Sequence, residues 1–119
     1  MQIQSHKDLI VWKRAIELVK ETYHITNLFP KVEEYGLSSQ MRRAAIAIPS
    51  NIAEGYRRKG LKEYIQFLYI ANASASELET QLIISKDVYS HLSYIKMESL
   101  LNEVLKMLSS MIAKLKAKR

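Results

Sequence analysis

The sequence predicts an all-α protein, an antiparallel up-and-down bundle of four helices forming one domain over residues 1–119. Three observations carry that prediction. Only three glycines and two prolines punctuate 119 residues. Apolar residues recur at helical spacing almost throughout, and no stretch alternates with period two. The segments between the periodic runs are short, which makes successive long helices antiparallel neighbours.

The first helix is expected to start near Ser5, whose hydroxyl is placed to cap while Asp8, three residues on, acts as a capping-box variant. Its core stripe reads Leu9, Trp12, Ala15, Ile16, Val19 and Tyr23, and it ends near Leu28, ahead of Pro30. The second helix, about Gly36 to Glu54, turns Leu37, Met41, Ala44, Ala45, Ile48 and Ile52 to one side, with Gly55 as a left-handed terminator. The third, about Leu61 to Tyr89, carries Tyr64, Phe67, Leu68, Ala71, Ala75, Leu78 and Leu82. The fourth, about Lys96 to Leu115, has the cleanest stripe: Met97, Leu100, Leu101, Val104, Leu108, Met111, Ile112 and Leu115. Ser38, Ala44 and Ala45 on the second helix and Ala71, Ser74 and Ala75 on the third predict a close approach of those two helices, near the lower end of about 8–10 Å.

A length of 119 residues suffices for a core without staples, and 48% apolar with 25% charged residues is ordinary for a globular protein. The absence of cysteine excludes disulfides and thiolate metal sites. The opening MQIQSHKDLIVWKRA has only a brief apolar run before Lys13 and Arg14, and no run is long enough to span a bilayer, so no export signal and no membrane are expected and the cytoplasm is the expected compartment. The net charge of +6 is concentrated at the end of the chain. Setting aside Lys114, Lys116, Lys118 and Arg119 takes four of the 18 basic residues and leaves 14 against 12 acidic ones. Cations there also suit the negative end of a helix dipole.

Several residues break local rules. Val11, Leu18 and Ile25 on the first helix, Ile46 and Ala53 on the second, and Ile65, Tyr69, Ile70, Ala73, Ile84 and Val88 on the third lie off the core stripes. A surface helix of a monomer needs one apolar face, so the surplus favours a homo-oligomer. Pro49 falls inside the second helix and removes the bond to the Ala45 carbonyl. Either it curves the helix, or the freed carbonyl forms a polar contact site with Ser50 and Asn51. Glu54 opposes the dipole at its helix end, with Arg57 and Arg58 near enough to offset it. Glu79 sits at the edge of its core stripe and Arg42 at the corresponding edge of the second helix, which predicts an Arg42–Glu79 pair fixing the register of the two helices. The Gly55–Gly60 connection is basic. It reads either as a solvated loop or as a phosphate-binding surface anchored by Arg57, Arg58, Lys59 and Lys62, with Arg43 and the terminal lysines in support and Tyr56 stacking on a base.

Catalysis finds few parts. A dimetal bundle takes glutamates and Glu-x-x-His pairs from its helices, whereas the one such pair here, Glu21 and His24, falls on the polar face of the first helix, and His6 and His91 match no spacing. No phosphate-cradling glycine loop and no G-x-S-x-G nucleophile turn occurs. The expectation is a protein that is not an enzyme, with no catalytic residues, no metal and no cofactor.

The run SSQMRRAAIAIPSNIAEG (Ser38 to Gly55) resembles the signature of the four-helix-bundle proteins encoded within intervening sequences of bacterial 23S ribosomal RNA genes. The resemblance extends through DLIVWKRA (Asp8 to Ala15), the Phe29–Pro30 pair, EYIQFLYIANASASELETQL (Glu63 to Leu82) and Tyr94, and covers nearly the whole chain. It implies an antiparallel bundle that assembles as a homopentamer with a central channel. Similar bundles include the accessory protein of diversity-generating retroelements, a basic pentamer that works with a reverse transcriptase and nucleic acid. The resemblance thus leaves two functional expectations: a non-catalytic oligomer binding RNA or another nucleic acid, or a structural adaptor binding a protein.

Overall fold

A computed structural model describes residues 3–118. Four helices follow one another, α1 (Ile10–Thr26), α2 (Leu37–Tyr56), α3 (Leu61–Val88) and α4 (Ile95–Lys116), with single 3₁₀ turns at His6–Asp8 and Lys31–Glu33 and no strand among the described residues. Both α1 and α3 pack on α2 and α4, while neither diagonal pair meets. The bundle is therefore a four-sided rod, with extents of 46 × 25 × 21 Å. No helix in it is long and apolar enough to cross a membrane.

The Ser5–Asp8 capping box forms, but it closes the 3₁₀ turn ahead of α1. Ser5 Oγ accepts from the Lys7 N–H, and the Asp8 carboxylate accepts from the Gln4 and Ser5 N–H groups at 2.9 and 3.2 Å. Those backbone donors hold the Asp8 carboxyl below its ordinary range. Extended Leu9 then leads into α1.

The face that α1 buries differs from the expected stripe. Val11, Ala15, Leu18 and Ile25 fill the core together with Thr22 and Thr26, whereas Trp12, Ile16 and Val19 are half-buried and Tyr23 is exposed. Polar threonines fit inside because each hydroxyl donates to the carbonyl four residues back, Thr22 to Leu18 at 2.7 Å and Thr26 to Thr22 at 2.8 Å. In α3, Ile65 is likewise a core residue, while Tyr69, Ile70, Ile84 and Val88 remain exposed, as does Ile46 on α2.

The expected small-residue seam is present. Ser38, Ala44, Ala45, Ala71 and Ala75 are all buried, and α2 and α3 share the most extensive helix contact of the bundle. Gly55 belongs to this seam and does not terminate α2, which continues to Tyr56 with no positive φ. A Cβ at position 55 would lie 2.7 Å from Phe67 Cβ and 3.2 Å from the Tyr64 carbonyl oxygen, so glycine is there for close approach. α2 also runs through Pro49 as one helix. Ser50 Oγ and Asn51 Nδ2 donate to the Ile46 and Ala47 carbonyls, each at 2.8 Å, so both donors serve their own helix.

The expected Arg42–Glu79 pair does not form. Arg42 lies on the edge of α2 that faces α1: Nε donates to Thr26 Oγ1 at 2.9 Å, Nη2 donates to Asn27 Oδ1 at 2.8 Å, and the guanidinium sits 4.7 Å from the Tyr23 ring centroid. The residue ties α2 to α1, and Glu79 is half-buried without an ion-pair partner among the described residues. The same end of the bundle carries a second lock. Tyr89 stacks on Phe29 and donates to Glu33, whose other carboxylate oxygen accepts the Leu37 N–H at the start of α2. Buried Tyr94 donates to the Ser85 and Tyr89 carbonyls at 3.1 and 2.9 Å. The Glu33 carboxylate raises the Tyr89 hydroxyl above its ordinary value, and burial raises that of Tyr94.

Candidate nucleic-acid interface

The opposite end of the rod is built by the start of α1, the α2–α3 connection and the end of α4. Its basic residues fall into two classes. Arg58 is tied down, with Nη2 3.1 Å from Glu54 and Nη1 3.6 Å from Glu63 while its guanidinium lies 4.8 Å from the Phe67 ring centroid. It offsets Glu54 at the α2 terminus, the role expected of the loop arginines. Arg57, Lys59 and Lys62 are exposed and make no ion pair among the described residues. No side chain caps α3 at Gly60, so the first-turn N–H groups stay available beside these cations, at the positive end of the helix dipole.

Tyr56 is half-buried, its ring edge-on to Tyr64 with centroids 6.0 Å apart. It borders a cleft of about 510 Å³ lined by Gln4, Ser5, His6, Lys7, Tyr56 and Arg57. The 3₁₀ turn thus adds exposed Lys7 and half-buried His6 to the surface. No local sequence signal marks them, because some fifty residues separate them from the loop and only the antiparallel return of α2 joins the two.

Other expected members are dispersed. Arg43 is exposed, but 14 residues of continuous helix separate it from Arg57, about 21 Å at 1.5 Å per residue. Lys116 donates to the Tyr69 hydroxyl at 3.1 Å, so the end of α4 lies about two turns inside the loop. Lys114 rims a separate groove of about 690 Å³ between α1 and α4, together with Lys13 and Lys106. Lys118 is exposed, and Arg119 lies outside the described residues.

A third surface uses the residues expected in the core of the first helix. Trp12, Ile16 and Val19 line an open groove of about 310 Å³ against Ile46, Pro49 and Ala53 of α2, and His6 packs edge-on to Trp12 at 5.2 Å between centroids. Among the described residues no three acidic or histidine side chains gather as a metal site; Glu21 is 3.9 Å from Lys96.

A four-helix bundle with a small-residue seam, one locked end and one end of unpaired cations is the class these features define. The chain belongs to the family of the 23S rRNA-intervening sequence protein, whose sequence model matches residues 7–110. A crystal structure of a protein of unknown function, from the S23 ribosomal protein family of Bacteroides thetaiotaomicron VPI-5482, has the same fold. Its TM-score is 0.75 at 25% identity, over 87% of this chain and 98% of that one. No curated protein matches the sequence significantly.

Proposed function

We propose that this protein is a non-catalytic, cytoplasmic homo-oligomer, a pentamer, that binds RNA through the α2–α3 end of the bundle. The observation that carries the reading is that Arg57 and Lys59 on one short connection and Lys62 in the first turn of α3 are exposed and, among the described residues, without ion-pair partners, with Tyr56 and Lys7 beside Arg57. Cations without internal partners bind phosphate at no cost in broken ion pairs, and a half-exposed tyrosine offers a face to an unstacked base. Shape and charge of this kind recognise a backbone and not a sequence.

The assembly part of the reading is supported by the exposed apolar residues of α3 and the open groove between α1 and α2. Filter binding of a single-stranded RNA oligomer tests the nucleic-acid part. Affinity should fall steeply from about 50 to 200 mM salt, and substituting alanine at 57, 59 and 62 should flatten the dependence. Absence of binding at the lowest salt overturns it and leaves a protein-binding adaptor as the function.

A further inference from the structure

We propose that the groove between α1 and α4 binds a small amphiphile with an anionic head and a single alkyl chain, the chemistry of a medium-chain fatty acid. The groove holds about 690 Å³, inside the range of about 300–1,000 Å³ usual for small-molecule sites. Its floor is apolar: Leu9, Ile10 and Val11 at the start of α1 face Met107 and Met111 of α4. Unbranched methionine side chains adapt to an alkyl chain laid along them. Ile10 is left 63% exposed, apolar surface that such a chain would remove from water.

The rim selects the head group. Lys13, Lys106 and Lys114 border the groove, all exposed and without an ion-pair partner among the described residues. The acid on the rim, Asp8, already accepts from two backbone N–H groups, and Lys13 is near enough to act on its charge. Three cations against one engaged carboxylate leave the groove positive. Two ion pairs fix the register of its walls: Arg14 with Glu103 and, seven residues on along α1 and seven back along α4, Glu21 with Lys96. In that antiparallel register Lys13 and Lys106 lie within about 3 Å of each other along the bundle axis, on facing helices. A carboxylate between them sends its chain past Ile10, Met107 and Met111 toward Lys114. Lys106 and Lys114 are eight residues apart, about 12 Å along α4, which sets a medium chain length. A docked partner helix suits the groove less well. Its anchors at i and i+7 need an apolar strip of about 10 Å, whereas Met107 to Met111 is one turn, about 6 Å.

Isothermal titration of the full chain with decanoate, kept below its micelle concentration, tests the site. One decanoate per chain should bind saturably, with decanol several-fold weaker. Replacing both exposed lysines, Lys13→Ala with Lys106→Ala, should weaken decanoate several-fold and leave decanol unchanged. Ile10→Glu should abolish binding of both while the helical circular-dichroism signal persists, and Ile95→Glu, at the exposed start of α4 and outside the groove, should change neither. Equal affinity for decanoate and decanol, or decanoate binding indifferent to the two lysines or to Ile10→Glu, overturns the proposal. So does the absence of saturable binding, and pelleting with phosphatidylglycerol vesicles in that case would give these lysines to a membrane surface. The groove contains none of Arg57, Lys59 and Lys62, so decanoate binding and RNA binding stand or fall separately.

Discussion

The two ends of this bundle are made of similar materials and put them to opposite uses. Each has an arginine over an aromatic ring, a tyrosine or two and a short connection. At the α1–α2 end Arg42 rests on Thr26, Asn27 and Tyr23, Tyr89 on Glu33 and Tyr94 on two carbonyls, while Tyr35 and Lys31 on the connection stay exposed. At the α2–α3 end Arg58 is engaged, while Arg57, Lys59, Lys62 and Lys7 have no ion-pair partner among the described residues. The difference separates basic residues that hold the fold from basic residues available to a ligand. Adjacent arginines 57 and 58 fall on opposite sides of that line.

The comparison is broken most strongly at the locked end. Arg42→Ala removes two charge-assisted hydrogen bonds and a cation–π contact, and should cost about 2–3 kcal/mol in urea unfolding with RNA affinity unchanged. An equal loss of RNA affinity would place Arg42 in the binding surface and erase the contrast. Next comes Gly55→Ala, where the clash with Phe67 and the Tyr64 carbonyl exceeds the roughly 1 kcal/mol that alanine gains in a helix. A net loss of about 1–2 kcal/mol is expected in thermal unfolding.

A smaller effect comes from pH. The Tyr89 hydroxyl is raised in the fold above its ordinary value, chiefly by its bond to Glu33, so the contribution is complete below that ordinary value. It is lost as pH rises through the folded value, when the donor disappears. Midpoint temperatures measured from pH 8 to 11 should fall less for Tyr89→Phe than for the parent across this window, while Tyr89→Phe starts lower at pH 8. The smallest effect is that of Arg58→Ala, about 0.5 kcal/mol for an exposed pair network, with little change in the salt dependence of RNA binding.

The extents of helices two to four were legible from apolar spacing, although in α3 Ile65 is buried while Tyr64 and Phe67, expected in the core stripe, are half-buried. The first helix was misread for a physical reason. Trp12, Ile16 and Val19 are more apolar than Thr22 and Thr26, yet the threonines are inside, satisfied by their own helix. Hydropathy does not register that self-satisfaction. Gly55 reads as a terminator when only its backbone freedom is considered, whereas its lack of a side chain is what the seam uses. The helical wheel placed Arg42 at an edge of its stripe without saying which neighbour lies there, and α1 rather than α3 does. At the candidate site, Arg57, Lys59 and Lys62 were visible in the loop composition, while Lys7 and His6 joined it only through the return of the chain.

The measurement that tests the central claim most directly is the slope of log affinity against log salt for single-stranded RNA, for the parent and for Arg57→Ala, Lys59→Ala, Lys62→Ala combined. Each phosphate contact on a single strand contributes about 0.7 to that slope, so the triple variant should be shallower by about 2. An unchanged slope, or no binding by the parent at about 50 mM salt, would contradict the assignment of this end to nucleic acid.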